Sequence, residues 1–301
     1  MTVEKLFMEI KDKEEICPIS EIENLSREIE KLLVEKEENL DEVDRVFLAR
    51  YKDRPKGLDF IENLIQDPIY LHGDRYFAED SAIVCGIGMF DKEVVSFIGI
   101  HKGRNMEESV KCNFGMVHPE GYRKAVRIMK QAEKFQRPLL IFIDTPGAYP
   151  GVGAEERGQA ESIASSMYTM TKLNTRIISV ITGEGASGGA IALGISDTML
   201  MMENAIYSIL SPEGFASILW RDSTKAKEAM KAMKLTSYDL LKAGVADKVV
   251  KEKLVYKKED FEPNFLRLKK EISLALDSLL QIDMQDLLQM RKDRFRRLKW
   301  D

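Results

Sequence analysis

The chain is poor in the residues that most often carry chemistry. Its 301 residues include three cysteines and three histidines. Cys17, Cys85 and Cys112 lie far apart, form no C-x-x-C pair and leave an odd thiol even if two join. That spacing argues against a structural zinc within the chain and fits a reducing, cytoplasmic setting. His72, His101 and His118 show no metal-ligand spacing, and His72 and His118 read as loop-stabilising residues. No apolar run reaches about 18 residues, so no membrane-spanning helix is expected. The opening MTVEKLFMEIKDKEE lacks the basic start and apolar run of a signal peptide and the Arg-rich character of a transit peptide. There is no tandem repeat and no low-complexity stretch. Neither charge dominates: 45 Lys and Arg face 50 Asp and Glu, and the net charge of -5 argues against nucleic acid as the main partner. The one dense basic run, residues 291–299, reads as a solvated helix face.

What is present is enough for a sizeable core, with 44% hydrophobic and 32% charged residues. Residues 21–38 lack Gly and Pro and place Ile22, Leu25, Ile29 and Leu32 at alternating spacings of three and four, the pattern of an amphipathic helix. Arg54-Pro55-Lys56-Gly57 then punctuates the chain, so residues 1–55 are expected to form a helical arm. Beyond it, segments 82–89 and 94–101 read as a β-hairpin. Further strands are expected at 139–143, 177–181, 199–202, 206–209 and 248–250, alternating with helices at 120–136, 154–173, 188–195, 225–233 and 237–241. This alternation indicates α/β layering over residues 56–255. A tail, 256–301, is helical from Pro263 and carries Phe265, Leu268, Ile272, Leu276, Leu279 and Leu280 on one face. The arm and this tail face are expected to leave apolar surface for association.

Glycine is concentrated in two places, from Gly147 through Gly151 to Gly153, and from Gly183 through Gly185 and Ala186 to Gly188 and Gly189. Each follows an apolar run and precedes a helix, so each is expected to be a turn. Such turns let a ligand approach the backbone and present unpaired N–H groups at the positive end of a helix, while close packing is the plain alternative. A P-loop is excluded because no Lys-Ser/Thr pair follows. Gly183-Glu184-Gly185-Ala186-Ser187-Gly188 nearly meets the dinucleotide pattern with Glu203 as a weak ribose acid. Gly185-Ala186-Ser187-Gly188-Gly189 formally fits G-x-S-x-G, but every histidine precedes Ser187, so Ser187 reads as a helix N-cap rather than a nucleophile. Glu155 and Glu156 fall in a first helical turn and read as dipole partners before a general acid/base pair.

Taken together, several longer motifs become recognisable. Asn113-Phe114-Gly115-Met116, His118-Pro119-Glu120-Gly121-Tyr122-Arg123, Asp144-Thr145-Pro146-Gly147-Ala148-Tyr149-Pro150-Gly151 and Ala154-Glu155-Glu156-Arg157-Gly158-Gln159 resemble the α subunit of bacterial acetyl-CoA carboxylase carboxyltransferase. So do the second glycine-rich segment and Ser208-Ile209-Leu210-Ser211-Pro212-Glu213-Gly214, and the resemblance runs from about Leu58 to about Val250.

The resemblance implies a crotonase-type (ClpP/crotonase) fold of stacked ββα units, with an N-terminal helical arm and C-terminal helices. It implies transfer of a carboxyl group from carboxybiotin, carried on a biotin carboxyl carrier protein, to acetyl-CoA. The product is malonyl-CoA, at the first committed step of fatty acid biosynthesis. It implies a zinc-bearing β subunit as partner in an α2β2 heterotetramer, with biotin carboxylase in the wider system and no cofactor or metal held by this chain. Gly188 and Gly189 would supply backbone N–H groups as an oxyanion hole for the biotin carbonyl. Gly147, Gly151, Gly153, Gly185 and Ala186 would contribute to substrate binding. The alternatives are another crotonase-type acyl-CoA hydratase or decarboxylase, and a noncatalytic partner-binding subunit. Ala186 and Phe215 replace smaller residues of the family pattern, and Lys251-Glu252-Lys253-Leu254-Val255-Tyr256 stands where a Pro-Leu-Gly-Gly-Ala-His segment is usual.

Overall fold

The computed structural model describes residues 1–18 and 21–297. The chain opens with helices α1 (Val3–Ile16), α2 (Ile22–Glu37), α3 (Glu42–Arg50) and α4 (Gly57–Leu64). Strands β1 (Gln66–Tyr70), β2 (Ile83–Phe90) and β3 (Glu93–Ile100) follow, then α5 (Met106–Lys111), α6 (Pro119–Lys134) and β4 (Leu139–Thr145). Next come α7 (Val152–Glu156), α8 (Gln159–Lys172), β5 (Ile177–Ala186) and α9 (Ser187–Ile191). The chain continues through β6 (Thr198–Met202), β7 (Ile206–Ser208), α10 (Pro212–Trp220), α11 (Ala226–Ala232), α12 (Ser237–Lys242) and β8 (Lys248–Val250), and ends with α13 (Glu262–Leu280) and α14 (Met284–Arg297).

Local chemistry starts and stops these elements. Asp41 and Asp44 form a reciprocal capping box that opens α3, each carboxylate accepting from the other's N–H. Pro119 opens α6, where its missing N–H has no partner to lose. β4 and β5 bury every residue, which is why they read as continuous apolar runs rather than alternating ones. The strands form one sheet in the order β1-β2-β3-β4-β5-β6-β8, antiparallel up to β3 and parallel beyond it. β5 is long enough to change neighbour: residues 178–181 pair with β6, and 184–186 pair with β7.

Several expectations need correction. The helix expected over 154–173 is broken at Gly158, whose φ of +82° no helix interior accepts. Residues 183–186 belong to a strand rather than a turn, and the helix after them ends at Ile191 instead of 195. The tail face is not free surface: Leu268, Ile272, Leu276 and Leu279 are buried, and Phe265 meets Phe60 edge-on at 5.2 Å. The basic run is likewise more than a solvated face. Arg291 is 1% exposed, lies 2.7 Å from both Asp197 oxygens, and donates to the carbonyls of Met170, Leu173 and Thr175. Of that run, Leu298 and Lys299 lie outside the described residues, as does the side chain of Ile22. The 251–256 segment holds the arm down: Leu254 packs with Val3, Leu6 and Phe7, Tyr256 meets the Phe7 ring at 5.1 Å, and Glu252 pairs with Arg54 at 2.9 Å. Among the described residues no helix is long and apolar enough to cross a membrane.

Candidate active site

β4 ends in Asp144 and Thr145, and the chain then turns through Pro146 and Gly147. The Thr145 hydroxyl lies 2.7 Å from the Gly115 carbonyl and 2.8 Å from that of Gly147, and it accepts from the Gly147 N–H at 3.0 Å. Gly147 has φ +148°, which disfavours any side chain. Val117 bridges Ala148, the Tyr149 N–H donates to the Val117 carbonyl at 3.1 Å, and the Gln159 amide donates to the carbonyls of Val117 and Tyr149. His118 stacks on Tyr149 at 4.1 Å. Two segments distant in sequence thereby fix the path of the first glycine-rich turn.

The second glycine-rich segment meets the first at one place. A Cβ on Gly189 would lie 2.6 Å from the Gly147 carbonyl carbon and 2.8 Å from the Ala148 nitrogen, so only glycine allows this contact. The first-turn N–H groups of α9 have no carbonyl four residues back within the helix, and the positive end of the helix adds to their pull on negative charge. Gly188 is half-buried and Gly189 buried. Ala186 caps α9 with extended backbone, φ -117°, which alanine adopts without strain.

The other predicted residues separate from this pair. Gly185 faces Tyr207 and Ile181, and Gly183 makes room for Asp144, so both serve packing within β5. Gly151 and Gly153 stand at the start of α7, against the Tyr149 ring and the Arg157 guanidinium. Ser187 is not a side-chain N-cap: α9 has no side-chain cap bond, and Ser187 itself has φ +55°. That strained strand-to-helix turn has the shape of a nucleophile elbow. The histidines, however, are held by other groups: His72 lies near Glu79, His101 near Glu108, and His118 stacks on Tyr149 with Nδ1 3.3 Å from Arg157 Nη2. Glu155 and Glu156 are exposed on α7. Glu203 is taken by Tyr238, Lys251 and the Glu252 N–H, which removes it as a ribose acid.

Behind the glycines lies a charge cluster that no local motif announces. Lys102 Nζ is 2.7 Å from Asp144 Oδ1 and 3.4 Å from Glu184 Oε2, and Arg50 Nη2 is 2.7 Å from Glu184 Oε1. Burial pushes the Asp144 carboxyl up, but Lys102, Lys56 and the Glu184 N–H outweigh it and hold it below the usual carboxylate range. Burial pushes the Lys56 amine down to about 8, with Asp144 opposing and Lys102 and Arg54 assisting. The available signal was a lone carboxylate inside the apolar run Phe142-Ile143-Asp144, since a charge in a buried strand needs a partner.

Residues 2–299 match the family model described as acetyl co-enzyme A carboxylase carboxyltransferase-like. The chain belongs to this family. It is 50% identical over 255 residues to the acetyl-coenzyme A carboxylase carboxyl transferase subunit alpha of Clostridium botulinum (strain Alaska E43 / Type E3), covering 85% of this chain and 93% of that one. It is also 50% identical over 253 residues to the subunits beta/alpha protein of Natranaerobius thermophilus, covering 84% of this chain and 42% of that longer one. Among solved structures, transcarboxylase 12S with methylmalonyl-coenzyme A bound superposes with a TM-score of 0.61 at 21% identity, over 75% of this chain and 42% of that one, a likeness that shows the fold alone. The crotonase-type fold expected from the sequence holds, and the carboxyltransferase family places the chain among the transferases.

Proposed function

We propose that this chain is the α subunit of an acetyl-CoA carboxyltransferase. It moves a carboxyl group from carboxybiotin on a biotin carboxyl carrier protein to acetyl-CoA and so forms malonyl-CoA for fatty acid synthesis. The observation that carries the reading is the close approach of Gly189 to the Gly147–Ala148 peptide, in the first turn of α9. Transfer leaves negative charge on the ureido oxygen of the biotin substrate, and the N–H groups of Gly188 and Gly189 form the oxyanion hole that receives it. Preorganised dipoles do this without a titrating side chain at the reacting atoms. Gly147 shapes the approach from within the turn, whereas Gly151, Gly153, Gly185 and Ala186 act only indirectly, through the packing of α7 and of the β5–α9 junction.

In this reading the active site is completed by a β subunit that carries the zinc and the second oxyanion hole, in an α2β2 assembly supplied by biotin carboxylase in the cytoplasm. Ile209 and Ile218, 78% and 77% exposed around α10, supply apolar surface for such a partner. The exposure of Glu155 and Glu156 weakens the hydratase alternative, which needs carboxylates at an enclosed acyl site.

The test is reconstitution. Carboxyl transfer, malonyl-CoA decarboxylation and crotonyl-CoA hydration are assayed on the chain with and without its β partner. Carboxyl transfer that appears only with the partner is the expected result. Hydration by the chain alone would overturn the reading.

A further inference from the structure

The ladder between β4 and β5 falls out of step just before the candidate site. Ile143 pairs with Ile181, but the next pair is Thr145 with Gly185, so a step of two residues in β4 faces a step of four in β5. Such a bulge leaves backbone groups that the ladder cannot satisfy. Side chains take them here. Asp144 Oδ1 accepts from the Glu184 N–H at 2.9 Å, the Thr182 hydroxyl donates to the Ile143 carbonyl at 3.2 Å, and Arg54 Nε donates to the Thr182 carbonyl at 2.7 Å. A Cβ on Gly183 would lie 2.7 Å from Asp144 Oδ1, so glycine is what lets the carboxylate occupy this slot.

The groups that hold the bulge come largely from outside the two strands. Arg50, the last residue of α3, gives both Nε at 2.9 Å and Nη2 at 2.7 Å to Glu184 Oε1, while its Nη1 reaches Glu213 at 3.1 Å in the first turn of α10. Arg54 is buried and its second contact is Glu252. Lys102, just after β3, ties Asp144 to Glu184. The N-terminal arm therefore reaches across to the strand that delivers α9.

We infer that Arg50, Arg54 and Asp144 are positioning residues: they lock the bulge of β5 and thereby set where Gly188 and Gly189 stand relative to Gly147. A slip of one residue along the strand is about 3.3 Å, and a misplacement of about 1 Å at a reacting centre costs on the order of 10²-fold in rate. The kinetic half of this inference rests on the carboxyltransferase reading, whereas the structural half does not.

The experiment uses the full chain, alone and with its β partner, as wild type, Arg50→Ala, Arg50→Lys and Asp144→Asn. Asp144→Asn keeps an oxygen for the Glu184 N–H but loses the charge facing Lys102. Turnover should fall roughly tenfold in Arg50→Ala and up to about 10²-fold in Asp144→Asn, with KM for acetyl-CoA within about twofold. Arg50→Lys should fall between Arg50→Ala and wild type, since lysine restores charge without the two-pronged donor. In the free chain, amide hydrogen exchange over residues 183–191 should accelerate about tenfold in Arg50→Ala while the β2–β3 hairpin keeps wild-type protection. Unchanged exchange over 183–191, or equal acceleration in the hairpin, would overturn the inference. Full turnover in Asp144→Asn would do the same. A wild-type complex that transfers no carboxyl group would sink the functional reading, while the exchange data would still decide whether the arm positions α9.

Discussion

The two glycine-rich segments look alike in sequence and do different work. In the first, Gly147 gives the chain a φ that other residues avoid, and Gly151 and Gly153 only make room for a tyrosine ring and a guanidinium. In the second, Gly183 and Gly185 are strand residues that yield space to Asp144 and Tyr207, and Gly189 alone touches the opposite segment. Glycine thus appears for backbone conformation on one side and for close approach on the other. The candidate site lies where the two uses meet.

The largest expected effect comes from breaking that meeting point. Gly189→Ala places a carbon 2.6–2.9 Å from the Gly147–Ala148 backbone, which must move away. Carboxyl transfer in the reconstituted complex should fall about 10²-fold. Loss of less than about threefold would show that the contact is not needed. Gly183→Ala comes next, because it collides with a buried carboxylate pinned by Lys102 and the Glu184 N–H. Overpacking of this kind costs about 1–3 kcal/mol, read as a lower denaturation midpoint in urea. Gly188→Ala lies at the other end of the scale. The nearest atom to its added carbon is Ile163 Cδ1 at an ordinary 3.5 Å, so stability should stay within about 0.5 kcal/mol of wild type.

A pH experiment sharpens the comparison on the side of Asp144. Burial lowers the Lys56 amine to about 8 from its ordinary 10.5, with Asp144 as the charge that most opposes the shift. Between those pH values the unfolded chain holds a proton that the folded chain has released, so this group makes stability rise with pH across the window. Below about 8 both states are protonated and the burial penalty is felt in full. Lys56→Met should remove that rise, seen as a smaller gain in melting temperature from pH 8 to pH 10 than in wild type. Parallel profiles for the two proteins would contradict it.

Much of this was legible, and the misses have physical causes. The runs at 139–143 and 177–181 announced strands because both faces of a parallel sheet are covered. The strand at 248–250 and the helix over 120–136 were also readable, the latter observed from Pro119 to Lys134. The glycines at 183 and 185 suggest a turn because glycine does not state why a side chain is absent, and the reason lies in Asp144 and Tyr207, each on another strand. Residue type alone makes Ser187 a cap, yet its positive φ sits at the bend from β5 into α9. Arg291 looked solvated because the carboxylate that buries it, Asp197, is 94 residues away. The charge cluster behind the site was invisible to motif spacing for the same reason: Arg50 and Glu184 become neighbours only through the fold.

The most direct test of the central claim compares two variants in the assembled carboxyltransferase, with circular dichroism and complex assembly checked for both. Gly189→Pro deletes a backbone donor, whereas Ser187→Ala deletes an exposed hydroxyl that makes no cap bond. Loss of one oxyanion donor typically costs about 10²–10³ in rate. The account predicts a drop of that size in malonyl-CoA formation for Gly189→Pro beyond the loss that crowding alone causes in Gly189→Ala, and a change within about threefold for Ser187→Ala. An inactive Ser187→Ala beside an active Gly189→Pro, both folded and assembled, would contradict it and return Ser187 to consideration as a nucleophile.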